Sequence, residues 1–342
     1  MEPTDFSRLS ELLKMPCRIA VVTHSNPDGD AIGSSLAMTH YLKHKGHDAR
    51  TVVPDDFPEF LKWMPAAGDI LIFDNDVKNA ERFLLDADLV FCLDFNAPDR
   101  VQAMTKTLEQ AKGIKILIDH HLDVVHFCDF ELSNAATSST SELVYDFIVN
   151  MGDENLLDKN IAEALFVGIV TDTGSFSYAC NYEHTFSVVA NLMRLGIDAE
   201  HIHRLVYDTW SESRIKLLGF CLNEKLTVIS NYSTSYIVLS KADLERFNHK
   251  IGDTEGVVNY ALSIKNVKLA ALITERDDFV KISFRSKGTF NVNDFARLHF
   301  NGGGHKNASG ANVYLPLGEA VKKFVSLLAS YSKELMPAHH EV

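Results

Sequence analysis

The chain is expected to fold as an α/β protein in two parts: an N-terminal, mostly parallel sheet with helices on both faces, then a smaller C-terminal α/β domain. Three features predict this. Strand-length runs such as Ile19-Ala20-Val21-Val22, Asp88 to Asp94 and Ile114 to Asp119 are apolar throughout, as strands covered on both faces must be. Stretches with helical spacing separate them. From Lys225 the order changes to strand, strand, helix. The parts are expected at 1–195 and 225–342, joined by a helical linker over 196–224.

In order, Asp5 to Lys14 reads as a short amphipathic helix and Cys17 to Thr23 as the first strand. Ala31 to Lys45 spaces Ile32, Leu36, Met38 and Leu42 for a helix packed on a sheet. Ala49 to Val53 and Ile70 to Phe73 are strands, with a short helix, Glu59 to Trp63, between them. Two further apolar strands, Asp88 to Asp94 and Ile114 to Asp119, each end in acid. Thr137 to Met151, Asn160 to Val170 and His184 to Leu195 follow as helices. His201 to Asn223 is helical, charge-rich and placed to bridge two domains. Beyond it, Leu226 to Ile229 and Ser235 to Leu239 are strands and Lys241 to Phe247 a helix. Leu269 to Thr274 and Val280 to Arg285 form a hairpin, Asn291 to His299 is a helix leading into a glycine-rich loop, and a last helix follows Leu317. The tail, Pro337 to Val342, is expected to fray, with its two histidines solvated.

A length of 342 residues, 46% hydrophobic, allows about two domains with real cores. A net charge of −13 argues against coating long nucleic acid by counterion release. It leaves room for a short anionic substrate, because metal ions supply local positive charge. No apolar run approaches the roughly 20 residues that span a bilayer. Met1-Glu2-Pro3-Thr4-Asp5 lacks the basic start and apolar core of a secretory signal. Cys17, Cys92, Cys128, Cys180 and Cys221 are odd in number and scattered, which fits reduced thiols better than a disulfide framework or a zinc site. A soluble, cytoplasmic protein is expected, with no membrane partner.

The chemistry concentrates at strand ends. His24-Ser25-Asn26-Pro27-Asp28-Gly29-Asp30 follows the first apolar strand and precedes a helix. Open α/β sheets place their ligands at such carboxyl ends. Pro27 and Gly29 bend the chain so that Asp28 and Asp30 face one point. Two carboxylates so close repel unless a cation lies between them. The plainer reading is a capped turn. Asp94 ends a second strand, Asp119-His120-His121 a third, and Asp172 closes an apolar helix at Gly174. Each alone reads as a helix cap or a surface histidine. Together His24, Asp28, Asp30, Asp94, His120 and Asp172 are too many donors for one tetrahedral zinc and suit two divalent ions bridged by a carboxylate. The nitrogen and oxygen donors, without thiolates, favour manganese (Mn2+), with magnesium (Mg2+), iron (Fe2+) or cobalt (Co2+) as substitutes.

These motifs resemble the DHH/DHHA1 phosphoesterase superfamily, and within it the group of bifunctional oligoribonucleases and 3′-phosphoadenosine-5′-phosphate (pAp) phosphatases. The resemblance covers nearly the whole chain and extends to Ser283-Phe284-Arg285-Ser286, Gly302-Gly303-Gly304-His305 and Ala308-Ser309-Gly310. It implies that His24, Asp28 and a bridging Asp94 take one ion, and Asp30, Asp94, His120 and Asp172 the other. Asp119 would orient an imidazole, as partners of metal-bound histidines do. His121, alternating to the other side of the strand end, would face the scissile phosphate. Arg285, Ser286, Gly302, Gly303, Gly304 and His305 would bind substrate, the glycines through backbone N–H groups and Arg285 through its fork. A flexible turn and a solvated arginine are the plainer readings of that segment. By the same resemblance, many members of the family carry a further glycine where Asn301 stands.

The implied activity is hydrolysis of very short single-stranded RNA to mononucleotides, and of pAp to AMP and phosphate, by water activated between two ions in a cleft between the domains. A homodimer is expected by analogy, and long duplex nucleic acid is not an expected partner. A pApA or cyclic-dinucleotide phosphodiesterase uses the same metal centre. A RecJ-type exonuclease fits a short acidic chain less well, and the superfamily's pyrophosphatases carry a different second domain. A non-catalytic nucleotide-binding regulator is the alternative of another class. Degenerate ligands would favour it, and none of the six is missing.

Overall fold

Six parallel strands form the first sheet: β1 (Arg18–Thr23), β2 (Asp48–Val53), β3 (Leu71–Ile72), β4 (Leu89–Leu93), β5 (Ile114–Asp119) and β6 (Phe130–Ser133), in the order β3-β2-β1-β4-β5-β6. The computed structural model describes residues 1–336, so the expectation for Pro337 to Val342 lies outside the described residues. Alternation explains the continuous apolar runs. Ile19, Val21, Phe91, Leu93, Ile116 and Ile118 enter one core, while Ala20, Val22, Val90, Cys92 and Leu117 enter another on the opposite face.

The first face is covered by α1 (Pro3–Leu12), α2 (Gly29–His44), α5 (Thr140–Asn150), α6 (Lys159–Asp172), α7 (Glu183–Arg194) and α8 (Ala199–Tyr207). The second is covered by α3 (Val77–Leu85) and α4 (Thr105–Gln110). Helix α2 is buried over most of its length because α6 crosses it closely. A Cβ on Gly33 would lie 2.5 Å from the Ala164 carbonyl, so only glycine permits that approach. The strand order reverses between β1 and β4, and ligands of open α/β sheets bind at such a switch point.

The chain divides at Thr209–Trp210. The stretch 196–224, expected as a linker, is shared out: α8 buries Ile202 and Val206 in the first unit, and α9 (Glu212–Phe220) buries Leu217 and Phe220 in the second. The second unit is built on β7 (Leu226–Ile229), β8 (Thr234–Leu239), β9 (Leu269–Glu275), β10 (Val280–Ser286), β11 (Gly303–His305) and β12 (Ala308–Val313), ordered β11-β12-β10-β9-β8-β7. Only β8 and β9 pair in parallel, across a crossover through α10 (Lys241–Arg246) and α11 (Val257–Leu262). Phe284, Phe295 and Phe324 fill one face, under α12 (Val292–Phe300) and α13 (Leu317–Leu327), with α14 (Ser332–Leu335) closing the described chain. No described helix is long and apolar enough to cross a membrane.

Some expectations shift. The strand expected over Ile70 to Phe73 shrinks to Leu71–Ile72 at the sheet edge. The glycine-rich loop is itself a strand, β11, joined to β12 by a turn at Lys306-Asn307 and pairing Gly304 with Ser309. Gly302 is held to glycine by packing, since a Cβ there would lie 2.2 Å from the Gly310 carbonyl. Asn301 caps α12 at φ 53°, a left-handed conformation that asparagine tolerates.

Candidate metal centre

The six predicted donors converge at the carboxyl ends of β1, β4 and β5 and the C-terminus of α6. After β1 the chain turns through Asn26 at φ 54°, pinned by Asp55, which accepts from the Ser25 hydroxyl and, at 2.6 Å, from the Asn26 N–H. His24 Nδ1 lies 2.9 Å from the Ser25 carbonyl. A carbonyl only accepts, so Nδ1 carries the proton. Nε2 then faces Asp94 Oδ2 at 3.4 Å. An imidazole nitrogen and a carboxylate oxygen so placed can hold one cation between them.

Asp28 does two jobs. Its Oδ1 caps α2, accepting at 3.1 Å from the N–H groups of Asp30 and Ala31, so the plainer reading also holds. It also stands with His24 and Asp94 in a set whose donor atoms all lie within 4.8 Å of one another. Asp30 is 1% exposed. Its Oδ2 accepts from the Thr140 N–H at 2.6 Å and its Oδ1 from the Ser141 N–H at 2.9 Å. Gly168 of α6 backs it, and a Cβ there would lie 2.6 Å from Asp30 Oδ1.

Asp94 adopts φ 66° just past β4, uncommon for a residue with a side chain and typical of functional sites. Its N–H still reaches the Ile118 carbonyl at 3.1 Å, and its Oδ1 accepts from the Thr140 hydroxyl at 2.9 Å. His120 Nε2 lies 3.4 Å from Asp172 Oδ2, 3.6 Å from Asp94 Oδ1 and 3.8 Å from Asp30 Oδ2. Asp30, His120 and Asp172 form a second tight set.

His121 does not take the opposite side from His120. The rings stand edge-to-face with centroids 5.1 Å apart, and His121 Nδ1 lies 3.8 Å from the same Asp94 oxygen. Strand β5 ends at Asp119, so β alternation no longer governs the two histidines. Asp119 orients His121: its Oδ1 lies 2.8 Å from Nδ1, and its Oδ2 accepts the His121 N–H at 3.2 Å.

The electrostatics fit a cation. Burial, opposed by bonds from Ser141 and Thr140, pushes the Asp30 carboxyl up, with Asp28 adding repulsion. Burial and then Asp30, Asp28, Asp172 and Asp119 raise Asp94 well above the usual carboxylate range. Burial lifts Asp119 to about 6. It also lowers His120, and it lowers His121 further. Among the described residues no lysine or arginine forms an ion pair with Asp30 or Asp94. Hard oxygen and imidazole donors, buried and crowded without a compensating side-chain cation, are what a divalent ion requires.

Asp55, Thr140 and Ser141 escaped the sequence reading. Asp55 follows β2 by two residues, the same strand-end signal that flagged Asp94. In the second unit, Arg285 sits on β10 with Nη1 donating to the Phe284 carbonyl at 3.0 Å, while Nε is buried without a hydrogen-bond partner among the described residues. Ser286 is buried, its hydroxyl committed to the Phe290 carbonyl and to Asn307, which braces the turn after β10. Gly302 precedes the edge strand that holds Gly303, Gly304 and His305, and edge strands present unpaired backbone groups.

The DHH family N-terminal domain matches residues 18–169, and the DHHA1 domain matches residues 233–334. The chain is 28% identical over 91% of its length to a probable bifunctional oligoribonuclease and PAP phosphatase NrnA of Streptococcus mutans, covering 94% of that protein. It is 30% identical over 86% of its length to the bifunctional oligoribonuclease and PAP phosphatase NrnA of Thermus thermophilus, covering 84% of it. The crystal structure of an exopolyphosphatase-related protein from Bacteroides fragilis superposes with a TM-score of 0.92 at 40% identity, over 98% of both chains. The chain therefore belongs to the DHH family of phosphoesterases, with a DHHA1 domain in its second unit.

Proposed function

We propose that this enzyme hydrolyses very short RNA to mononucleotides and pAp to AMP and phosphate, using two divalent ions with manganese as the working metal. One observation carries the reading: Asp94 turns one oxygen to each histidine, Oδ2 to His24 and Oδ1 to His120. On this reading His24, Asp28 and Asp94 would hold one ion, and Asp30, Asp94, His120 and Asp172 the other. When bound, the pair supplies Lewis acidity toward the phosphoryl oxygens and lowers the pKa of the attacking water.

The chain's own residues do the rest. Asp119 fixes one proton of His121 at Nδ1. We assign Nε2 to the scissile phosphoryl group, to which it donates once the charge of a bound phosphate offsets the burial that disfavours the second proton. Asp94, Asp119 and His121 therefore act together at the reacting centre. Arg285 is assigned to a non-scissile phosphate, since its buried Nε has no hydrogen-bond partner among the described residues. Gly302, Gly303, Gly304 and His305 are assigned to the same anion through the edge-strand backbone, with Ser286 supporting the turn. The names of the Streptococcus and Thermus relatives support this choice of substrates. A cytosolic homodimer completes the proposal; all five cysteines are free thiols, as a reducing compartment maintains them.

The test is a side-by-side assay of pAp, a 5′-labelled RNA dimer, a five-nucleotide RNA and pApA, with manganese added. Release of mononucleotides from the dimer and phosphate from pAp is expected. Turnover of pApA alone would move the enzyme to the linear products of cyclic dinucleotides, and no turnover of any would leave a nucleotide-binding regulator.

A further inference from the structure

Resting on the metal reading above, we propose that Thr140 is a positioning residue that sets the orientation of Asp94 and thereby the spacing of the two cation sites. Thr140 is the first residue of α5, an 11-residue helix capped by Ser139, whose hydroxyl accepts the Glu142 N–H at 3.1 Å. Its backbone N–H binds Asp30 Oδ2 at 2.6 Å, and its hydroxyl binds Asp94 Oδ1 at 2.9 Å. One residue thus grips a donor unique to the His120 set and the donor shared by both sets. These two aspartates come from different elements, the start of α2 and the end of β4, and a carboxylate of Asp94's kind rotates freely about its last torsion unless something holds it.

The grip is itself anchored. Thr140 is fully buried, and Glu142, 2% exposed, accepts from the Ser138 hydroxyl and, at 2.7 Å, from the Thr185 hydroxyl on α7. Ser138, Ser139, Thr140 and Ser141 are all fully buried, so this hydroxyl-rich run faces the interior. Partners of this kind hold metal ligands in place, and their loss weakens metal affinity by about 10–100-fold. Thr140 touches neither substrate nor reacting atoms on this account; it acts through Asp94.

The experiment compares T140V, which keeps the branched shape and backbone N–H but loses the hydroxyl, with T140S, which keeps the hydroxyl. Mn2+ uptake by the full-length metal-free proteins is measured by titration calorimetry in the absence of substrate. In parallel, kcat and KM for pAp are measured at saturating Mn2+, and metal-free thermal melts verify folding. T140V is expected to bind at least one Mn2+ about 10–100-fold more weakly and to lose kcat with little change in KM. T140S is expected to stay within about three-fold of wild type by both readouts. Wild-type affinity and stoichiometry in T140V overturn the proposal, and so does an equal loss in T140S, which would assign the effect to packing of the methyl group. Should the wild-type chain take up no Mn2+, the metal reading falls and takes this one with it; wild-type uptake with unaltered T140V removes Thr140 alone.

Discussion

Asp94→Asn should make the metal-free protein more stable while removing its response to metal. The donor atoms of His24, Asp28 and Asp94 lie within 4.8 Å of one another, and two carboxylate charges at that separation repel by about 3 kcal/mol at an effective dielectric near 20. Proton uptake relieves part of this, because burial and neighbouring acids raise Asp94 well above the carboxylate range. A net gain of about 1–2 kcal/mol remains for the amide. Geometry adds to it. An amide nitrogen in place of Oδ2 would stand 3.4 Å from His24 Nε2 and could donate to it with no carboxyl proton to be taken up. The amide oxygen keeps the Thr140 bond, and asparagine accepts the left-handed backbone at φ 66°. For the unit Met1–Thr209, such a gain raises the melting temperature by about 2–8 °C in EDTA. Melts with and without Mn2+, together with pAp turnover, make the assay. A lower metal-free melting temperature than wild type, or an Mn2+-dependent rise as large as wild type's, would refute the reasoning.

Four further outcomes are expected. His120→Ala should abolish turnover with the fold intact by circular dichroism, since Nε2 faces three carboxylates. Asp119→Asn isolates one titration: the carboxyl rises from 3.8 to about 6 on folding, so wild type binds that proton more tightly when native and loses its stabilisation as pH rises through that interval. The stability of the asparagine variant relative to wild type should therefore increase from pH 4 to pH 7, by at most about 3 kcal/mol in denaturant melts. Gly168→Ala puts a Cβ 1.9 Å from Ser141 Oγ and 2.6 Å from Asp30 Oδ1, which should destabilise the metal-free fold by about 1–3 kcal/mol and weaken Mn2+ uptake seen by calorimetry. Arg285→Ala should raise KM for pAp about ten-fold while kcat holds, in steady-state kinetics.

The cluster of acids and imidazoles was legible because chemistry and topology coincide. Acid at the end of a doubly apolar run is a conspicuous pattern, and Asp28, Asp94 and Asp119 each end or follow such a run. What holds them was not legible. Thr140 reaches Asp94 across 46 residues of sequence and Asp30 across 110, and no local pattern encodes a pairing of that span. Ser138-Ser139-Thr140-Ser141 reads locally as a polar turn before a helix, which it also is. The side taken by His121 failed for a related reason, because strand alternation was extended past the last residue that obeys it. The glycine loop hid a strand. Glycine-rich sequence signals freedom, whereas Gly302 is there because the Gly310 backbone comes too close for any side chain.

The spread of the donors along the chain has a consequence for folding itself. His24 and Asp172 stand at opposite ends of the cluster in sequence, with β2, β4, β5, α5 and most of α6 between them. No single helix or neighbouring strand pair can assemble the pocket alone, so it completes only when distant segments have met. An ion captured there would work as a removable clasp on a long loop, and closure entropy grows with the logarithm of loop length. Chelation would then slacken the whole N-terminal unit rather than one corner of it, and amide exchange would report the loosening in strands that never touch the ion.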